Sequence, residues 1–212
     1  MKGNPMDIAA PTQQALHILR SGDSFQWYVI ALLAFVVYIY ANEISNKNYK
    51  VVAAGLALYS VHWFYEILNA LIQHFSGNAL WTVPSGTAFL LLIGVGVELS
   101  LMFSVAGLAM AKLLPPDPKL KILGIPNRIV FAVGNAALFA IFEIFLAKTP
   151  AFVWVYSWWG ALPVFVLVYI PFFLAAFLCY DWKPRTQIRF IASVFAVDAV
   201  MLIVFAGVLG WI

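Results

Sequence analysis

Residues 51–75, VVAAGLALYSVHWFYEILNALIQHF, decide the fold. They carry a single acidic residue, Glu66, and no lysine or arginine. A helix needs about 20 mostly apolar residues to cross a bilayer, because lipid offers no partner to a backbone polar group. This stretch is long enough, yet it is not apolar all round. Tyr59, His62, Glu66, Asn69 and Gln73 recur at spacings of three and four, which places them on one helix face. A polar stripe on a membrane helix must face the interior of a bundle or a wet cavity. The segment therefore reads as an inner helix with neighbours.

Five further stretches of similar character flank it, at about 25–42, 87–113, 127–147, 151–180 and 188–211. With 64% hydrophobic and 10% charged residues, the chain lacks the charge to build a water-soluble surface, which needs roughly 25%. The expected fold is all-α: one polytopic transmembrane bundle of about six spans over residues 25–212. Residues 1–24 form an N-terminal segment without a signal-peptide core, and 11–20 suit a short interfacial helix. Pro163 and Pro171 predict a kink in the fifth span or its division into two shorter elements. No internal repeat is legible. Lys47, Lys50, Lys112, Lys119, Lys121, Arg128, Lys183, Arg185 and Arg189 fall in loops at one end of the bundle, and only Lys2, Arg20 and Lys148 at the other. Positive loops face inward, so the loops after spans one, three and five are expected in the cytoplasm and both termini outside. Trp27, Trp81, Trp154 and Trp211 lie near span ends and read as an aromatic belt. The small net charge of +3 gives no sign of nucleic acid as a partner, and the single cysteine, Cys179, excludes an intrachain disulfide.

The informative residues are those that lipid should exclude. Glu66, Glu98, Glu143 and Asp198 sit inside spans with no intramembrane lysine or arginine to pair with, and His62 is the one histidine well inside a span. At a rise of ~1.5 Å per residue, Glu66 lies ~13 Å, Glu98 ~16 Å, and His62 and Asp198 ~20 Å from the outer span ends. Glu143, at ~6 Å, reads as an interfacial residue. Desolvation disfavours the charged form of an unpaired carboxyl, which makes such a group a proton donor. His62, four residues from Glu66, is placed to bond it or relay its proton. The bland alternatives are a structural His62–Glu66 pair, helix packing at Glu98 beside small residues, and a helix–helix hydrogen bond at Asn135. No metal, haem or other cofactor is expected. The order His-x-x-x-Glu is not a di-metal carboxylate motif, and no second histidine stands on a facing helix.

An acidic residue in the second span, Tyr-Ser-Trp-Trp-Gly at 156–160 and Val-Asp at 197–198 together resemble the small integral-membrane terpene cyclases of meroterpenoid and indole-diterpene pathways. His-x-x-x-Glu followed by a glutamate on the next span is similar to the emopamil-binding sterol isomerase family. The resemblance implies an intramembrane acid catalyst that protonates an isoprenoid-type lipid, leading to cyclisation or double-bond isomerisation. Glu66 or Asp198 would donate the proton, with His62 assisting and Glu98 a further candidate. Tyr59, Trp63, Tyr65, Trp158 and Trp159 would line a dry, cation-stabilising cavity, and Asn69 and Tyr156 would orient the substrate. The expected partners are an apolar lipid or isoprenoid and the membrane itself, with a homo-oligomer or larger assembly open. Two other readings remain: a non-enzymatic subunit of a membrane complex that binds a partner, lipid or pigment, and a proton-coupled carrier.

Overall fold

The computed structural model describes residues 8–23 and 25–212. Residues 1–7 and 24 of the expected N-terminal segment, Lys2 among them, lie outside the described residues. Among the described residues, five helices are long and apolar enough to cross a membrane. They are α2 (Tyr28–Ser45), α3 (Tyr49–Ser76), α5 (Asn127–Leu146), the broken helix Ala161–Asp181, and Pro184–Val208. The third expected span is the shorter apolar helix α4 (Val97–Ala111). Residues 87–96, expected to be helical, instead form a buried antiparallel hairpin, β2 (Leu90–Leu92) and β3 (Val95–Gly96). Non-helical backbone survives at such depth only when protein covers it, and Leu90, Leu92, Ile93 and Val95 are all buried.

Helix α3 is the hub, packing on α4, α7 (Ile170–Asp181) and α8 (Pro184–Met201). Its contact with α4 is close because both faces are small. A Cβ added at Gly107 would lie 2.7 Å from Leu58 Cβ and 2.8 Å from the Ala54 carbonyl. Gly55 lies against Leu108 and Tyr59 bonds Ser100, so residue numbers fall along α4 as they rise along α3, and the two helices run antiparallel.

The fifth span divides, as Pro163 and Pro171 predict. It comprises α6 (Ala161–Val164), a π-helical turn (Phe165–Tyr169) and α7. Pro171 has no N–H to donate to Leu167, and its ring displaces that carbonyl, so the chain widens there. The Ile170 N–H reaches back five residues to Phe165.

At the lysine- and arginine-rich end, a small hairpin of β4 (Lys121–Ile122) and β5 (Ile125–Pro126) leads into α5, and polar side chains tie the helices together. Buried Arg128 forms a two-pronged pair with Asp181, at 2.7 and 3.0 Å, and bonds the Pro115 carbonyl. The opposite end is closed by chain rather than charge. Helix α1 (Ala10–Ile18) buries Thr12 and Ala15, and the Arg20 N–H bonds the Leu90 carbonyl. The short strands β1 (Trp81–Thr82) and β6 (Val153–Trp154) pair antiparallel across 70 residues of sequence, with Trp81 opposite Trp154. These two tryptophans are not members of an aromatic belt, because both indoles turn into the bundle.

Candidate functional site

Beneath the β1–β6 ladder lies a chamber of about 250 Å³. Its walls are apolar and largely aromatic: Phe103, Phe139, Phe142, Phe152, Val168 and Phe172. Its polar groups are few and cluster together: His62 and Glu66 from α3, Glu143 from α5, Tyr169 from the π turn and Trp81 from β1.

Directly opposed residues of an antiparallel pair project to the same side. Trp81 and Trp154 therefore deliver their indoles as a matched set. Trp81 Nε1 donates to Glu66 Oε2 at 3.2 Å, and Trp154 Nε1 donates to Glu143 Oε1 at 2.6 Å. The Tyr169 hydroxyl donates to the other oxygen of Glu143. Glu66 Oε1 lies 3.4 Å from His62 Nε2, and neither imidazole nitrogen has a hydrogen-bond partner among the described residues. His62 is held instead by ring contacts, stacked on Phe103 at 4.3 Å and on Tyr59 at 6.1 Å.

Asn69 builds the Trp81 side of the site. Its Nδ2 donates to the Trp81 carbonyl at 2.9 Å, and its Oδ1 accepts the Leu80 N–H at 2.8 Å. Gly94, at the β2–β3 turn, presses its backbone against Asn69, Trp81 and Glu66. A Cβ there would lie 2.5 Å from Asn69 Nδ2 and 2.7 Å from Glu66 Oε2.

Of the residues that the sequence suggested for catalysis or substrate binding, His62 and Glu66 alone line this chamber. Glu98 accepts hydrogen bonds from the Tyr28 hydroxyl, Thr87 Oγ1 and the Ala88 N–H, and so pins the β2 approach to the first turn of α4. Asp198 is buried on α8 with both oxygens unpartnered among the described residues, and it does not reach the chamber. Tyr59 shares a 2.9 Å hydrogen bond with Ser100. Trp63 packs edge-on to Tyr59, and Tyr65 edge-on to Phe172. The Tyr156 hydroxyl donates to the Asn78 carbonyl, Trp158 is exposed, and Trp159 stacks on Trp81 outside the lining.

The residue that sequence reasoning set aside is Glu143. Measured from the end of its helix it looked interfacial, but Phe152 and Trp154 fold over it. The one sequence signal was the run of aromatics between residues 152 and 159, too apolar for a loop lying in water.

Residues 9–207 match the model described as "Uncharacterized membrane protein family". The chain belongs to that family. A protein of Archaeoglobus fulgidus, named "Uncharacterized protein", is 49% identical to the chain over 212 residues. The alignment covers 95% of this chain and the whole of that relative. A second protein of Archaeoglobus fulgidus, with the same name, is 44% identical over 50 residues, 23% of this chain and 89% of its own length. No solved structure matches the chain. This membership corrects the resemblance to membrane terpene cyclases and to the emopamil-binding family: neither is the family that matches. The geometry gives the physical reason. The Val197–Asp198 motif lies on a helix whose carboxylate does not share the Glu66 chamber, and two of the 156–160 aromatics serve packing and a backbone bond.

Proposed function

We propose that the protein is an intramembrane acid–base catalyst that moves a double bond within an apolar, isoprenoid-type lipid. The observation that carries this reading is the meeting of Glu66 and Glu143 in one aromatic-walled chamber. Glu66, beside His62, serves as the acid. Glu143, whose two oxygens both accept hydrogen bonds, serves as the carboxylate base.

A proton passes from Glu66 to one alkene carbon, leaving a cation on its neighbour. Glu143 removes a proton from the carbon beyond, and the double bond re-forms one position along. The lipid gains one proton and loses one, so no co-reactant is needed. Proton exchange between the two carboxyls, with His62 beside Glu66, restores the starting state. The faces of Phe103, Phe139 and Phe172 favour the transient cation, and the dry chamber withholds the water that would trap it. Trp81, Trp154 and Tyr169 position the carboxyls.

The loops after the first, third and fifth spans are proposed to face the cytoplasm, on the strength of their basic residues. The chamber then lies toward the outer leaflet.

The test is solvent deuterium. Protein in vesicles made with neutral lipid extracted from its native membranes, incubated in D2O, is expected to place deuterium into an unsaturated lipid, read by mass spectrometry. Glu66→Gln and Glu143→Gln should each lower uptake by ~10²–10⁴-fold, the usual worth of a positioned acid or base. Uptake that is absent with the wild-type protein, or undiminished in both variants, would overturn the proposal.

A further inference from the structure

We infer that the substrate carries no anionic headgroup, and that it enters sideways from the bilayer between α4 and α5 with only its reacting end inside the protein. This rests on the catalytic reading of the same chamber and adds the substrate's charge and route.

The charge follows from the lining. Two glutamates face the chamber, and none of the residues lining it is lysine or arginine. A phosphate or diphosphate drawn into that space would meet like charge at low dielectric with no lysine or arginine in the lining to offset it, so it is disfavoured there. An alcohol, ketone or plain hydrocarbon end meets no such cost. The hydrogen-bonding groups of His62, Glu66 and Trp81 suit a single small polar function or a bare double bond.

The route follows from the helices. Helix α4 packs on α3, while α5 packs on α7 and the π turn, and α4 and α5 make little contact with each other. The residues that face this gap belong to the chamber and to the outer surface at once. Met102 from α4 and Leu138 and Phe142 from α5 line the chamber, yet are 40%, 40% and 61% exposed. All three are apolar, so the mouth presents nothing that lipid must desolvate. An entrance for a water-borne substrate would carry polar side chains instead.

The depth of entry follows from the open side. The chamber opens through the exposed Met102, Leu138 and Phe142, so the tail of a long-chain lipid stays in the gap and the surrounding bilayer while its reacting end meets the carboxyls.

The experiment compares two probes of equal chain length, geranylgeraniol and geranylgeranyl diphosphate, offered to the detergent-purified full chain. Retention is read by native mass spectrometry. The neutral alcohol is expected to be retained at least tenfold better. The double variant Glu66→Gln/Glu143→Gln, which removes the Glu143 carboxylate charge and leaves no ionisable carboxyl at Glu66, should keep the alcohol and gain the diphosphate. Leu138→Trp and Phe142→Trp, which crowd the mouth but leave the carboxyls in place, should lower retention of the alcohol. Retention of the alcohol in their circular dichroism-matched controls Ile129→Trp and Phe145→Trp, on exposed parts of α5 outside the chamber, should stay at the wild-type level. Equal or better retention of the diphosphate by the wild-type chain, or alcohol retention unchanged by mouth substitutions, overturns the inference. Failure of the catalytic reading looks different: the alcohol is retained selectively, but no deuterium enters any lipid.

Discussion

Replacing Gly94 with alanine tests the site without touching a charged group. The new Cβ would fall 2.5 Å from Asn69 Nδ2, 2.7 Å from Glu66 Oε2 and closer still to Trp81 Nε1. Ordinary van der Waals contact begins at 3.4 Å, so these atoms must retreat by the difference, about 0.7 to 1.0 Å, in an interior packed as tightly as a crystal. Asn69 cannot retreat without loosening its 2.9 Å bond to the Trp81 carbonyl, and Trp81 cannot retreat without lengthening its 3.2 Å bond to Glu66. Overpacking of this kind costs about 1–3 kcal/mol of stability. A displacement of ~1 Å at reacting groups costs about 100-fold in rate. Gly94→Ala should therefore remain folded, with a Tm lower by several degrees, while deuterium uptake falls ~100-fold. Thermal unfolding by circular dichroism supplies the first reading and the D2O assay the second. The indole N–H band of Trp81, followed by ultraviolet resonance Raman, should move toward a weaker hydrogen bond. A folded Gly94→Ala protein with uptake within twofold of wild type would refute the reasoning.

Three other outcomes follow from the same geometry. Asp198→Leu removes a buried carboxyl that no described residue satisfies, and it should raise stability by about 1–3 kcal/mol while leaving deuterium uptake unchanged; a loss of uptake would return Asp198 to the site. Asp181→Leu strands the buried Arg128 guanidinium and should cost about 3–5 kcal/mol, whereas the paired change Arg128→Met/Asp181→Leu should recover most of the lost Tm. Trp154→Phe keeps the β1–β6 ladder but deletes the indole donor to Glu143, and should slow uptake about 10- to 100-fold with a shifted pH profile, both of which a purely structural tryptophan would leave alone.

The inner face of α3 was legible because everything that sets it is local. Residues three and four apart share a face in any α-helix, so Tyr59, His62, Glu66 and Asn69 had to point the same way, and lipid's lack of hydrogen-bond partners required that way to be inward. The break in the fifth span was equally local: a proline without an N–H does its work wherever the chain folds.

Glu143 and the two tryptophan clamps could not be read in this manner. The β1–β6 pairing joins segments 70 residues apart and contains two residues from each strand, too short to leave a periodic trace. Depth counted along α5 assumed that protein ends where the helix ends, but residues 77–96 and 150–160 fold back over the bundle and carry Trp81, Phe152 and Trp154 with them. Asp198 shows the converse. Its helix is apolar nearly all round, so the sequence determined that a carboxyl would be buried there, but not which way it would turn. That rotation depends on how α8 packs against α3, and packing is a property of the assembled bundle. Sequence alone thus determined a bundle of apolar helices and the one helix face that lipid could not accept, since both follow from backbone hydrogen bonding and helical period. Tertiary structure alone decided which carboxyls meet, because their meeting depends on contacts between segments far apart in the chain.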